Sequence, residues 1–119
     1  MIIAIDTSEL KKLRIRVDAA GRVKRWRYAV YADAALPRLA KILAGKKPQA
    51  IGVVVGPGAF SATRTGVALA NALAYAWGIP VIALTAIQFD ASEPLPRGTR
   101  PPTAVRYGMA PNITKKKIL

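Results

Sequence analysis

The stretch Ala50-Ile51-Gly52-Val53-Val54-Val55-Gly56-Pro57-Gly58-Ala59-Phe60-Ser61-Ala62-Thr63-Arg64-Thr65-Gly66 decides how the chain folds. Residues 50–55 form an apolar run ending in three valines, as expected of a strand covered on both faces. Residues 64–77 are rich in alanine and leucine, contain no glycine or proline beyond Gly66, and stop at Gly78 before Pro80, as expected of a helix. The joint between them is a β-to-α turn. Gly56 and Gly58 let the backbone reverse sharply, and Ser61 or Thr63 is placed to cap the helix. Such a turn is either a structural elbow or an anion site at which helix N–H groups, dipole and Arg64 converge. Two phosphate-binding signatures fail on spacing. Counting G-x-x-x-x-G-K-[ST] from Gly58 puts Thr63 and Arg64 where glycine and lysine belong, and counting G-x-G-x-x-G from Gly56 puts Ser61 at the last glycine. Pro57 also removes an N–H that a phosphate would need.

The chain has 119 residues, which predicts one domain with one core and not two lobes around a cleft. No apolar run approaches the ~18 residues needed to span a bilayer, and no basic-then-apolar leader opens the sequence, so a soluble, cytoplasmic protein is expected. Cysteine and histidine are both absent. There is accordingly no disulfide, no thiolate or imidazole metal ligand, and no Ser-His or Cys-His arrangement. Nineteen Lys and Arg against six Asp and Glu give a formal net charge of +13, which suits an acidic or nucleic-acid partner as well as it suits solubility.

Working outward, Ile2 to Ile5 read as a short buried strand that delivers Asp6, Thr7 and Ser8 to its C-terminal end, the usual place for sites in open α/β sheets. There Asp6 either holds a metal-bound phosphate or closes a side-chain-to-backbone turn. Lys12, Arg14 and Arg16 alternate with Leu13, Ile15 and Val17, predicting one wet basic face and one buried face. After the turn at Ala19-Ala20-Gly21, residues 23–30 complete a hairpin carrying Lys24, Arg25 and Arg27 with Trp26 and Tyr28. Eight of the nineteen basic residues fall between Lys11 and Arg27. This hairpin can stack on and neutralise RNA, or simply be an edge protected by charge. Asp33 is placed to cap a helix over 34–44, with Leu36, Leu39, Ala40 and Leu43 as its inner stripe.

Projection of the second helix at 100° per residue gathers Leu69, Leu73 and Trp77 with Gly66 and Ala70 on a core face. Ala68, Ala72 and Ala76 form a second smooth stripe, beside a narrow ridge of Arg64, Asn71 and Tyr75. A helix this apolar around its circumference calls for cover on more than one side, which the first helix supplies only in part. Residues 80–84 read as a further strand, and 85–87 begin a turn or short helix. The order β-β-β-α-β-α-β predicts a hairpin-plus-parallel sheet with helices against it. From Phe89 on, five of the nine prolines accumulate without helical period, so residues 89–119 read as an irregular basic tail, with one short strand at 103–107 and a basic tip at Lys115-Lys116-Lys117.

Three segments carry a family resemblance: Ile3-Ala4-Ile5-Asp6-Thr7-Ser8, then Gly56-Pro57-Gly58-Ala59-Phe60-Ser61 through Arg64 and Gly66, then Ala74-Tyr75-Ala76-Trp77-Gly78-Ile79-Pro80. Together they resemble the TsaB (YeaZ) family of tRNA threonylcarbamoyladenosine biosynthesis proteins over residues 1–87, and Pro111-Asn112-Ile113-Thr114-Lys115 resembles a family-type C-terminal tail. The resemblance implies an α/β fold: one RNase H-like, actin-type lobe over 1–88 with a mixed five-stranded sheet and helices packed on it. It implies a non-catalytic, cytoplasmic subunit with no catalytic residue, metal ligand or cofactor of its own. ATP and metal belong on a TsaD-like partner that modifies the adenosine beside the tRNA anticodon, and a TsaE-like ATPase, a homodimer of the free chain and tRNA are further possible partners. The family loop is represented by Gly56, Pro57, Gly58, Phe60, Arg64 and Gly66. It departs from the usual GPG-S-F-T-G-L-R-I-G pattern at Ala59, Ser61, Ala62, Thr63 and Thr65, which weakens a small-ligand role.

The second lobe of the usual family member is expected to be missing, and with it independent ATP hydrolysis. The partner surface is expected at Ala68, Ala72, Tyr75 and Ala76, with Leu39 and Leu43 nearby. The alternative function is a small basic RNA-binding module contacting RNA through Lys12, Arg14, Arg16, Lys24, Arg25 and Arg27. An RNase H-like nuclease would need clustered carboxylates for two metals, and the six acids are scattered.

Overall fold

The computed structural model describes residues 1–56 and 60–95, with the side chain of Phe60 outside the description. The elements run β1 (Ile2–Glu9), β2 (Lys12–Ala19), β3 (Arg22–Tyr28), a 3-10 turn (Ala32–Ala34), α1 (Ala35–Leu43), β4 (Ala50–Val54), α2 (Phe60–Trp77), β5 (Val81–Leu84) and α3 (Ala86–Asp90). One mixed five-stranded sheet has the order β3-β2-β1-β4-β5, antiparallel across the first three strands and parallel from β1 through β4 to β5. This is the expected α/β lobe. The short loops at 10–11 and 20–21 impose the antiparallel pairs, while the crossovers through α1 and α2 impose the parallel ones.

Strand alternation sends side chains into two cores. On the inner face Ile3, Ile5, Ile15, Ile51 and Val53 pack beneath α1 and α2. Helix α1 contributes Ala35, Leu39 and Leu43, an i, i+4, i+8 line, while Leu36, expected on that stripe, is half exposed. Helix α2 contributes Val67, Ala70 and Ala74. Leu69, Leu73 and Trp77, expected at the centre of its core face, flank it half-buried.

Gly66 explains the close seat of α2 on the sheet. A Cβ there would lie 2.1 Å from Thr7 Oγ1, the hydroxyl that donates to the Ala62 carbonyl at 2.7 Å. Only a residue without a side chain lets that hydrogen bond and the contact coexist.

Three local expectations are corrected by the backbone. Helix α2 begins at Phe60, so Ser61 and Thr63 lie inside it and cap nothing; Thr65 Oγ1 instead donates to the Ser61 carbonyl at 3.0 Å. Asp33 falls in the 3-10 turn, and α1 starts after Ala34 with no side-chain cap. β1 runs four residues beyond Ile5, with an irregularity between Asp6 and Glu9.

The outer face carries the second core: Ile2, Ala4, Ala50, Val54 and Leu84 pack against Phe89 and Leu95. Both of these lie in the segment read as an irregular tail from Phe89 on. Phe89 is 1 % exposed, and burial of such a ring contributes roughly 1.5–3 kcal/mol. Its placement depends on α3, whose five residues would not nucleate a helix unaided. A reciprocal capping box holds it: Thr85 Oγ1 accepts from the Gln88 N–H at 3.1 Å, and Gln88 Oε1 accepts from the Thr85 N–H at 2.8 Å. Residues 96–119, including the expected strand at 103–107 and the basic tip at 115–117, lie outside the described residues.

Candidate protein interface and basic surfaces

The end of β1 is occupied by the protein itself. The Asp6 carboxylate is buried and accepts from the Ser8 N–H at 2.8 Å, from Ser8 Oγ at 2.6 Å and from both Nε and an Nη of Arg14. Of the two readings left open for Asp6, the geometry is that of the closed turn. Arg14 also donates to Asp90 at 2.6 Å and lies 4.9 Å from the centre of the Phe89 ring. Burial opposes its charge, but the hydrogen-bonded carboxylates of Asp6 and Asp90 outweigh burial, and the guanidinium pKa is raised. Its contribution to stability is therefore complete below the ordinary arginine value and is lost only as pH rises through the folded-state value. Among the described residues no group of three acidic, histidine or cysteine side chains is placed to hold a metal ion.

The face of β2 expected to be wet is covered. Arg16 is 0 % exposed, because the segment after β5 crosses over it. Its guanidinium pairs with Asp18 at 2.7 and 3.0 Å and donates to the carbonyls of Gln88, Phe89, Ala91 and Glu93 at 2.6–3.3 Å. Arg25 donates to the carbonyls of Phe89, Asp90 and Ala91, and the Leu95 N–H donates to Asp18 at 2.9 Å. Of the six residues proposed to touch RNA, Arg14, Arg16 and Arg25 thus fasten residues 88–95 to the sheet. Lys12 pairs with Glu9 at 3.3 Å, and Lys24 and Arg27 are exposed. The period of two sorts the side chains of β2 onto its two faces, but it carries no sign that a later segment lies over the charged side.

Helix α2 shows the opposite relation. Ala68, Ala72 and Ala76 are exposed among the described residues, and Tyr75 beside them is 86 % exposed. The smooth stripe read from the helical projection lies in the open. Leu39 and Leu43 do not join it: at 1 % and 5 % exposure they are buried in the inner core, so no partner can reach them without unfolding α1. The loop positions Pro57 and Gly58 lie outside the described residues. Gly56, at φ 134°, has a backbone conformation that disfavours any side chain, Phe60 opens α2, Arg64 is exposed, and Gly66 is buried against Thr7.

Sequence reasoning missed two features. One is the Arg16–Asp18 fastening, for which i, i+2 opposite charges on one strand face were the available signal. The other is the pair Arg38 and Lys41 on α1, i and i+3, which lie across from Trp26 and Tyr28.

The comparisons with known proteins fit this geometry. A family model described as TsaD, tRNA N6-adenosine threonylcarbamoyltransferase, matches residues 35–107. YeaZ from Pseudomonas aeruginosa is 28 % identical with a TM-score of 0.64 over 71 % of this chain and 43 % of YeaZ. A second P. aeruginosa structure, described as an uncharacterized protein with similarity to peptidase YeaZ, gives the same identity and TM-score over 71 % and 42 %. Thermus thermophilus RuvC, 16 % identical, shares the fold at a TM-score of 0.50 over 73 % of this chain and 64 % of its own. The chain spans about two fifths of the length of the YeaZ structures it matches. No curated protein matches it in sequence.

Proposed function

The chain belongs to the TsaD family, tRNA N6-adenosine threonylcarbamoyltransferase, and has a YeaZ-like, RNase H-like fold, and from that premise we propose that it serves threonylcarbamoyladenosine modification of tRNA as a non-catalytic subunit. Its partner is a larger TsaD-like protein that supplies the ATP and metal chemistry, with a TsaE-like ATPase as a further component. The observation that carries this reading is the exposed Ala68, Ala72, Tyr75, Ala76 stripe on a helix whose opposite side is anchored in the core. Alanines at i and i+4 let a second helix approach closely, and Tyr75 offers a large amphipathic ring at the edge of the contact.

The non-catalytic assignment is supported by the engagement of Asp6. A carboxylate held by one arginine and one serine has little capacity left for a metal-bound phosphate.

Co-purification with a TsaD-like partner tests the docking face. Ala72→Arg places a charged side chain on the stripe without touching the core, so it should abolish the complex while circular dichroism remains that of the parent chain. An Ala72→Arg protein that binds its partner with undiminished affinity would refute the assignment. Metal-dependent nucleotide turnover by the purified chain alone would refute the non-catalytic role.

A further inference from the structure

The inner surface of the hairpin carries a groove that the docking reading does not use. It runs between the edge strand β3 and α1. One part, about 590 Å³, is lined by Trp26, Tyr28, Pro37, Arg38, Lys41 and Ile42. A second part, about 580 Å³, shares Trp26 and Ile42 with the first and continues past Lys24, Arg22 and Lys46. Each part is within the ~300–1,000 Å³ of small-ligand sites, and their shared wall makes them one elongated track.

The lining chemistry is specific in sign. Five cationic side chains border the two parts, and neither part is lined by an Asp or Glu. The arginines that do have carboxylate partners, Arg14 and Arg16, are on the other face of the sheet. Arg38 is the most telling of the five. Its guanidinium is held 5.0 Å from the centre of the Tyr28 ring, while its buried Nε meets no hydrogen-bond acceptor among the described residues. The stacking fixes the guanidinium plane, and the charge is left without a counterion among the described residues. Trp26 lies between the two cationic ends, half-buried, at the junction of both parts.

The geometry points to a binding track for a single-stranded nucleic-acid segment. A base stacks at Trp26, and the phosphates on either side of it meet Arg38 and Lys41 at one end and Arg22, Lys24 and Lys46 at the other. Aromatic surface between cations at both ends matches the alternation of bases and phosphates along a strand. A lone nucleotide would use one part of the track and leave the other charges unanswered. The site shares Lys24, Trp26 and Tyr28 with the hairpin expected from sequence to meet RNA but not Arg14, Arg16 and Arg25, which are engaged internally, and it stands independently of the α2 docking face.

The test is a fluorescence titration of the full chain carrying Trp77→Phe, so that Trp26 alone emits. The probes are a uridine hexaribonucleotide, its deoxyuridine counterpart and uridine monophosphate, at about 50 and 200 mM salt. Anisotropy of labelled hexamers with the unsubstituted chain gives the same affinities without relying on the variant. The hexamer is expected to quench Trp26 and to bind at least about tenfold tighter than the monophosphate, the effect of one further stacked base or its equivalent in phosphate contacts. Lys24→Glu and Lys41→Glu should each weaken binding and lower the slope of log affinity against log salt by about 0.7. Arg27→Glu makes the same charge change on the outer face and should leave both unchanged. Preference between ribose and deoxyribose identifies the type of strand, and tight binding of either sustains the track. The assignment is overturned if the hexamer leaves Trp26 emission unchanged, if the monophosphate binds as tightly as the hexamer, or if Arg27→Glu weakens binding as much as Lys41→Glu.

Discussion

Single residues at the joint between β1 and α2 leave little tolerance. Gly66→Ala would drive a methyl group onto Thr7 Oγ1, and because Thr7 also serves the Ala62 carbonyl, relief of the clash costs a buried hydrogen bond. We expect destabilisation of about 1–3 kcal/mol from overpacking, read as a lower midpoint in urea with unchanged slope. Thr63 presents the converse case. It is 3 % exposed and its Oγ1 finds no partner among the described residues, so Thr63→Val, which keeps the shape and removes the stranded hydroxyl, should stabilise the fold by about 1 kcal/mol in the same assay. A destabilised Thr63→Val protein would mean that the hydroxyl is satisfied in solution. The sequence marks Gly66 only as a glycine inside a helix; the Thr7 hydroxyl that excludes any larger residue is 59 positions away.

Elements divide by whether their cover is local or distant. The β4-to-α2 unit, the hairpin and the α1 region were legible because each is announced by its own period and its own stop signals. The segment 86–95 was not legible beyond its first turn, because its order comes from β2 and β3. Arg16 and Arg25 reach it across more than sixty residues and bond its carbonyls, which no local pattern encodes. Arg16→Met should therefore act at a distance. Removing one member of a buried ion pair leaves the Asp18 carboxylate without its guanidinium and takes a donor from four carbonyls, two of which Arg25 still serves, and a loss of about 3–5 kcal/mol is expected. Hydrogen exchange checks the location. Protection should fall first at Phe89, Ala91 and Leu95, whose N–H groups bond Thr85, Ile87 and Asp18, whereas equal loss throughout β1 and β4 would mean that the segment is not a separate unit.

For the whole molecule, the cationic groove and the exposed stripe of α2 are built from different elements, and each has its own measurable consequence. A partner that covers α2 binds only the folded chain, so it should raise the unfolding free energy with concentration, by about 2.7 kcal/mol at one hundred times its Kd. Ala72→Arg should remove that increment and leave the stability of the free chain unchanged, a pattern that differential scanning calorimetry separates from a folding defect. By itself the sequence determined the α/β class, the element order and the smooth stripe of α2, since strand and helix periods and turn residues are short-range properties. It also determined the excess of positive charge and the absence of cysteine and histidine chemistry. Only the tertiary structure decided which charges are free. Arg14 and Arg16 of β2 and Arg25 of β3 became internal fasteners once residues 86–95 crossed them, and Arg38 and Lys41 came to face Trp26 and Tyr28 once α1 was laid on the sheet. Burial depends on what arrives from elsewhere in the chain, and a period of two or of 3.6 residues carries no information about that.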